Sequence, residues 1–354
     1  MGFTTNIQPL LDSLGKLSDS DKLELGRLMF KKYVTGGSIA QVHDIQTDVR
    51  KGDPIAKVDT GNSWEYAKDL TGTSECADTD CNIAPVFSTK VWNPNRYGCT
   101  PEICFGDLEK KAKDYFRANE TEGDPTQSDW YDFFVNIIGQ YVQNSHWTKA
   151  WFTDTASAND ALTGIDGLFK QMYAVATPAN TAQRYEIAEN SAATAAAQLA
   201  LGANTAKDTY EWMMMNRPNE IMGENLAIYT SRSLFKNFQQ WVWTNKVMEC
   251  CEANPTTAQY DLSRLNIGGI PIVVVSAWDE IIKNVGDFFD GTVYDMPHRA
   301  VLTYRENIPL GTPNGGELEE VDFRFDPYTE NSKFVTKYSI DAKLVEDDDF
   351  IIAS

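Results

Sequence analysis

Segments with strand character lie near both ends of this chain, and a different pattern separates them. The early segment, residues 51–106, is rich in turns and contains short extended pieces such as 54–61 (PIAKVDTG). The late segment, residues 319–353, alternates apolar and polar residues as antiparallel strands do. Because the two ends are similar in kind and the middle is not, we predict a discontinuous domain that both ends of the chain complete.

A long helix is predicted between the early strands and the middle of the chain. Residues 128–152 (SDWYDFFVNIIGQYVQNSHWTKAWF) place apolar side chains at steps of three and four. A helix of that length would extend about 35 Å at 1.5 Å per residue. Such a helix indicates a scaffold element.

The middle of the chain alternates helix and strand patterns. Helices are predicted at 164–176, at the alanine-rich 189–200, and at 231–249, where Ser231 would be the N-cap. Buried strands are predicted at 226–231 (LAIYTS) and 268–278 (GGIPIVVVSAW), and an extended segment at 298–310. A charge at Val274 would then prevent folding.

The first 50 residues contain one helix pattern, at 18–33, with Ser18 or Ser20 as its cap. Its apolar side comprises Leu23, Leu25, Leu28, Met29 and Tyr33. The flanking residues show no periodicity. We therefore expect an arm that docks on something else.

The charge balance argues against tight binding of nucleic acid by this protein. Acidic residues outnumber basic ones 51 to 31, which gives a net charge of −20. Affinity for DNA comes largely from neutralising phosphates, and the sequence has no basic cluster. The absence of a long apolar run and of a secretory pattern predicts a protein that is soluble and cytoplasmic when made, with no membrane partner.

The sequence lacks the common catalytic signatures, including phosphate loops, nucleophile elbows and zinc-protease motifs. His43, His146 and His298 are far apart in sequence. We therefore predict no catalytic residues, no cofactor and no small-molecule substrate. A cytosolic enzyme with an acidic α/β domain is the rival of a different class, and a tail-tube or adaptor protein is a third option.

Four cysteines and one acidic run are candidate ligands. Cys76 with Cys81, and Cys99 with Cys104, form two equally spaced pairs. They fit a structural zinc site, two local disulfides, or unmodified thiols, of which the last is the most ordinary. The run 347–349 (DDD) fits a hard-cation site or, more simply, a solvated charge cluster.

The C-terminal half resembles the major capsid proteins of tailed bacteriophages, the Hong Kong ninety-seven type shared with encapsulins. The resemblance lies in the order and the residue patterns of the segments over most of residues 105–354. The segments that carry it are 164–169 (GIDGLF), 226–242 (LAIYTSRSLFKNFQQWV), 269–273 (GIPIV), 298–312 (HRAVLTYRENIPLGT) and 337–351 (KYSIDAKLVEDDDFI).

This resemblance implies an α+β phage capsid fold with an N-terminal arm, an extended β-loop, a long spine helix, a discontinuous peripheral β domain and an axial α/β domain. The implied divisions are 1–50 (arm), 51–106 (extended loop and first part of the peripheral domain), 107–154 (spine helix), 155–312 (axial domain) and 313–354 (completion of the peripheral domain). Deletion of 55–104 would then leave a foldable core and abolish assembly.

The resemblance also implies a structural subunit that forms hexamers and pentamers in an icosahedral shell around double-stranded DNA. The implied partners are copies of itself, a portal, scaffold or decoration proteins, and packaged DNA contacted without sequence preference. Its location would be the virion, after assembly in the bacterial cytoplasm. An encapsulin-like compartment that holds a cargo enzyme is the alternative within the same fold. Covalent cross-linking between subunits stays open.

Overall fold

The structure is a computed structural model that describes residues 39–55, 58–59, 86–87, 90–99, 102–104, 142–178, 180, 182–217, 226–245, 251–253, 260–313, 320–326 and 331–354. The helices in this part of the chain are α1 (Ile39–Val42), α2 (142–151), α3 (Leu168–Val175), α4 (Ala195–Gln198), α5 (Thr205–Met215), α6 (Arg232–Asn245) and α7 (Ser276–Asn284). Short 3-10 turns occupy Ala188–Ser191, Gly286–Phe288 and Arg305–Asn307.

The strands are β1 (Ile45–Thr47), β2 (Val58–Asp59), β3 (Val86–Phe87), β4 (Asn95–Cys99), β5 (Glu102–Cys104), β6 (Arg184–Tyr185), β7 (Leu226–Thr230), β8 (Cys251–Ala253), β9 (Tyr260–Ile267), β10 (Ile270–Val274), β11 (Ala300–Tyr304), β12 (Leu310–Thr312), β13 (Glu320–Asp326), β14 (Asn331–Ala342) and β15 (Ile351–Ala353). The protein is therefore α+β, as predicted. No helix among the described residues is long and apolar enough to span a bilayer.

A six-stranded sheet joins the two ends of the chain. Strand β14 pairs with β13 and β12, and also with the early strands β4 and β5. Strand β1 lies parallel to β12 at the end of the same sheet. Early and late strands thus meet around β14, as the sequence pattern predicts. Since β4 and β5 belong to this sheet, deletion of 55–104 would remove part of the fold, which corrects our expectation of an intact core.

A seven-stranded sheet has the order β6-β15-β11-β7-β10-β9-β8. Strands β7 and β10 are parallel, and β11 runs antiparallel to both β7 and β15. The last strand, β15, thus lies inside this sheet, beside residues 300–302. Residues 313–354 were expected to complete one peripheral domain, but β15 belongs to the seven-stranded sheet and β13 and β14 to the six-stranded sheet.

Strand β7, within the seven-stranded sheet, is buried on both faces. Along β7, Ala227 and Tyr229 join one apolar cluster, whereas Leu226 and Ile228 join a second. The first cluster contains side chains from α1, α2, α3 and α7, and also Tyr338 and Ile340 of β14. The second contains side chains from α5 and α6. Continuous burial explains why the 226–231 pattern lacks polar alternation.

The predicted strand at 268–278 is shorter in the structure. Gly268 and Gly269 have φ of +56° and +83° and form the two-residue loop between β9 and β10, a conformation that favours glycine. Val274 is half-buried, whereas Val275 is almost fully buried. The charge-sensitive position is therefore Val275, which corrects our expectation for Val274.

Two helix predictions differ from the structure. Residues 276–278, predicted as strand, begin helix α7 instead. The alanine-rich segment 189–200 is not one helix, because Ala192 is extended and Thr194 caps the separate helix α4 through the N–H of Ala197. The strong N-cap preference of threonine explains this interruption. The predicted long helix is present over 142–151; its earlier part, and the predicted helix 18–33, lie outside the described residues.

Candidate assembly surface and its anchoring

A two-stranded ribbon extends the chain between β1 and β4. Strand β2 pairs antiparallel with β3, Val58 opposite Phe87 and Asp59 opposite Val86. Nearer the body, Pro54 forms an isolated bridge with Val91. The outgoing and returning chains are therefore paired at these described positions, and residues 60–85 connect β2 to β3 in sequence. We name residues 54–59 and 86–91 the ribbon.

A small apolar cluster, the root, fixes the ribbon to the body. Trp92 is 2% exposed and packs with Val49 and Ile55, with Val345 against the same cluster. Gly311 of β12 lies directly under the indole, because a Cβ placed there would be 2.6 Å from Trp92 Cε3. Only glycine permits this approach without displacing the ring.

Polar contacts connect the same root to the end of β14. The Lys90 ammonium donates to the Leu344 carbonyl (2.7 Å) and to Asp347 Oδ1 (2.6 Å). The Asn93 N–H donates to Asp341 Oδ2 (2.6 Å). Burial raises the pKa of Asp341 above its ordinary value. The chain next to Trp92 is thus held by the end of β14 and by the residues that follow it.

His43 joins three distant segments. Its Nδ1 lies 2.8 Å from the Ile308 carbonyl and must donate to it, so Nε2 accepts the indole N–H of Trp151 at 2.9 Å. Arg305 donates to the His43 carbonyl at 3.1 Å. Burial lowers the pKa of His43 to about 4, and the ring is therefore neutral at pH 7. This histidine is a structural joint between the arm and helix α2.

His146 lies where helix α2 crosses β14. Its ring packs edge-on against Tyr338 with centroids 4.5 Å apart, and the Tyr338 hydroxyl hydrogen-bonds to Ser145. Burial lowers the pKa of His146 to about 3. This second histidine is therefore also a neutral packing group.

His298 contacts Ser233, and a serine–histidine pair is a candidate catalytic arrangement. Ser233 Oγ lies 2.7 Å from Nδ1, and Nε2 donates to the Gln198 carbonyl at 2.7 Å. Asp279 occupies the adjoining N-terminus of α6, where its Oδ2 accepts the Arg232 N–H at 2.7 Å. A negatively charged carboxylate at that position would repel the oxyanion that forms during acyl transfer. The arrangement therefore connects α6 with Gln198 and His298, beside Asp279 of α7.

The same contact corrects the predicted cap of α6. Ser231, the expected N-cap, has its hydroxyl 3.0 Å from Ser233 Oγ, whereas the first helical N–H donates to Asp279 on another helix. Burial raises the pKa of Asp279, and the helix N–H groups oppose that rise. The cap is thus supplied by tertiary structure.

Arg299 is a joint that the sequence analysis missed. Its guanidinium lies 4.5 Å from the Phe169 ring centroid and 5.1 Å from that of Phe152, and it donates to Asp295 Oδ2 at 3.1 Å. The side chain is 3% exposed. Arg299 thus connects the end of helix α2 to α3, and no local sequence motif predicts this role.

The structure bears on the zinc and disulfide hypotheses for one of the two cysteine pairs. Cys99 is opposite Thr336 and Cys104 opposite Asn331, five positions apart on β14 or roughly 17 Å at about 3.3 Å per residue. Thiolates on one zinc, or a disulfide with Cα atoms within about 7 Å, require a much shorter separation. The structure thus does not bring Cys99 and Cys104 together. Cys76 and Cys81 lie outside the described residues.

The acidic run 347–349 makes contacts of its own. Asp347 pairs with Lys90, and Asp349 Oδ2 accepts the hydroxyl of Tyr304 at 2.8 Å. The Asp349 carbonyl accepts hydrogen bonds from Thr303 and Asn307. The run is therefore more structured than a solvated cluster, and among the described residues no group of three or more ligands of metal-binding type is present.

Several large apolar side chains are exposed on the described surface. Trp243 of α6 is 73% exposed and Met215 at the end of α5 is 84% exposed. The others are Val91, Leu199 and Phe289. Val91, which is 45% exposed, belongs to the ribbon, whereas Met215 and Trp243 belong to helices α5 and α6. Exposed aromatic and methionine side chains are typical anchors of protein interfaces.

Comparisons with known proteins complete this picture. No protein-family profile and no curated sequence matches the chain. Among solved structures, a chain of the satellite phage P4 procapsid, a structure that includes the size determination (Sid) protein, aligns with a TM-score of 0.54 and 11% identity, covering 94% of this chain and 98% of that one. The capsid of cyanophage P-SCSP1u aligns at 0.47 with 13% identity, covering 91% and 89%. The SrpI encapsulin of Synechococcus elongatus PCC 7942 aligns at 0.43 with 7% identity, covering 93% of each chain.

The class of fold follows from the first of these alignments. It covers nearly the whole of both chains. The protein has the phage capsid fold of the Hong Kong ninety-seven type. The resemblance stated from sequence segments is thereby confirmed at the level of the fold.

Proposed function

We propose that this protein is the major structural subunit of a tailed-phage head. Copies would form hexamers and pentamers that close into an icosahedral shell around double-stranded DNA. The observation that carries the proposal is the near-complete alignment with a procapsid chain. A fold alone hosts many functions, so the proposal also requires a surface suited to self-association.

The ribbon and its root supply such a surface. An isolated two-stranded ribbon is only marginally stable in water unless it packs on other protein. Its root is fixed by Trp92, Gly311 and the contacts of Lys90. In our proposal the chain carried by this ribbon contacts a neighbouring subunit, and many such contacts sum to a stable shell.

The buried histidines support a structural role. His43 and His298 each use both ring nitrogens in contacts within the chain, and His146 packs on Tyr338. These contacts connect distant segments of the chain. In our proposal the subunit is therefore not an enzyme.

The charge balance suits the interior of a DNA-filled shell. A net charge of −20 favours solubility at high subunit concentration and opposes tight binding to phosphates. The shell would thus enclose DNA without binding its phosphates tightly. In our proposal a portal, and scaffold or decoration proteins, are the other partners, and the shell is assembled in the cytoplasm of a bacterial host.

Electron microscopy of the protein expressed in bacteria tests this proposal. We expect shells, tubes or sheets with hexagonal order. A monodisperse small oligomer at every concentration, with or without the remaining head proteins, would contradict it. Nucleic acid inside particles supports a phage head, whereas a protein cargo would indicate an encapsulin-like compartment.

A further inference from the structure

A groove lies between helices α2 and α7, and nothing in the assembly proposal accounts for it. Its volume is about 140 Å³. Trp147, Ile281 and Val285 give it an apolar floor, and Asn144, Thr148 and Glu280 lie among its polar lining residues. An apolar cavity of about 150 Å³ accommodates a benzene molecule, so this groove has room for one large apolar side chain.

The described chain begins beside this groove. Helix α1 packs in the same apolar cluster as Trp147 and Ile281. The ring of His43, immediately after α1, lies 5.9 Å from the ring of Trp147. One indole thus contacts the start of the described chain and also lines the groove.

The sequence before α1 contains an apolar helix face within reach. The predicted helix 18–33 carries Leu25 and Met29 near the centre of its apolar side, four residues apart. Only residues 34–38 separate this helix from Ile39, so Tyr33 lies six Cα steps and at most about 22 Å from Ile39. A helix on so short a connection is confined to the vicinity of α2 and α7.

We propose that the groove between α2 and α7 receives the apolar face of residues 18–33 from the same chain, with Leu25 or Met29 as the inserted side chain. The segment would clamp helix α2 to the large sheet through α7. Part of the arm then serves its own subunit, and only the ribbon remains for neighbours. This inference does not depend on shell formation.

Photocross-linking of the full-length chain tests the occupant. Benzoylphenylalanine would replace Met29, and in a control it would replace Arg27 on the opposite side of the predicted helix. Unassembled light and heavy-isotope subunits would be mixed before irradiation, and adducts mapped by mass spectrometry. We expect adducts from position 29 to 142–151 or 276–285 within one isotopic chain, at least about tenfold above those from position 27.

The other outcomes overturn the proposal. Adducts that join light and heavy chains at the groove would identify a second copy as the occupant. Adducts elsewhere, or none in the groove, would show that the segment docks at another place. Particle formation is scored separately, so failure of this inference and failure of the proposed function are distinguishable.

Hydrogen exchange gives an independent readout on the intact chain. The double variant Leu25→Glu/Met29→Glu should accelerate exchange of amides in 277–285 by about tenfold, because α7 would lose its cover. Arg27→Glu should leave these amides unchanged. The amides of residues 226–230, in the seven-stranded sheet, exchange on global unfolding. They should be protected from exchange equally in both variants. Unchanged exchange in the double variant would contradict the proposal.

Discussion

Trp151 donates its indole N–H to Nε2 of His43 at 2.9 Å, which fixes this histidine as the neutral Nδ1–H tautomer. The contact joins the arm to helix α2. Protonation would place a second hydrogen on Nε2 opposite the indole N–H. The Arg305 guanidinium also opposes a positive charge there. The joint is therefore incompatible with a charged imidazole.

The first prediction concerns the pH dependence of stability. Because burial lowers the pKa of His43 from 6.5 to about 4, the unfolded chain binds a proton that the folded chain excludes. The contribution of neutral His43 is thus complete above pH 6.5 and is lost as pH falls from 6.5 towards 4, by roughly 3 kcal/mol in all.

Denaturant unfolding of unassembled subunits between pH 4 and 7 measures this loss. The variant His43→Gln retains an acceptor for Trp151 and a donor for Ile308, and it does not titrate. We expect its unfolding free energy to fall less steeply with acid, by up to about 1.4 kcal/mol per pH unit. Identical slopes in the two proteins would refute the neutral joint.

The second prediction concerns the root of the ribbon. Gly311→Ala would place a methyl group 2.6 Å from Trp92 Cε3, so the indole or β12 must shift. We expect a loss of about 1–3 kcal/mol in unfolding free energy, typical of overpacking. Gly286→Ala is the matched control, because a Cβ there meets nothing within 4 Å. Equal stability of the two variants would show that the indole does not rest on this glycine.

The strands show how much of the fold the sequence carries. The strands at 226–230 and 335–340 were predictable because burial on two faces, or on alternate residues, leaves a local apolar pattern. The partners of those strands were not, because pairing of β15 with β11 joins residues about 50 positions apart. No local pattern encodes that choice, and the last strand was therefore assigned to the other sheet.

The joints were less predictable than the strands. His43, His298 and Arg299 each act through partners more than 60 positions away or through several elements at once. An isolated histidine or arginine in a sequence does not reveal such partners. The cap of α6 illustrates the same limit, since Asp279 from a different helix accepts the Arg232 N–H at the helix end where Ser231 was the predicted N-cap.

The third prediction tests that tertiary cap. Asp279→Ala removes the acceptor for the Arg232 N–H, and we expect a cost of about 1–2 kcal/mol. Asp279→Asn keeps a side-chain oxygen at the same place and should cost less. Urea titrations of both variants measure the difference. If Asn is as damaging as Ala, the contribution is electrostatic and the capping hydrogen bond is not its source.

The fourth prediction concerns the strand that enters helix α7. Val275 is 1% exposed, whereas Val274 beside it is half-buried. Val275→Asp would bury an unpaired carboxylate, at a cost of several kcal/mol, and should abolish native circular dichroism. Val274→Asp should be milder. Native-like folding of the Val275 variant would contradict the burial of this position.

The fifth prediction separates folding from assembly. Residues 60–85 can be replaced by Asn-Gly, because Asp59 and Val86 are already opposite each other and a two-residue turn closes such a pair. Strands β4 and β5 and the root are kept, unlike in the wider deletion of 55–104. We expect a folded subunit with unchanged circular dichroism that forms no shells in electron micrographs. Since the sheets are untouched, normal particles from this variant would mean that subunits recognise one another without the chain beyond the ribbon.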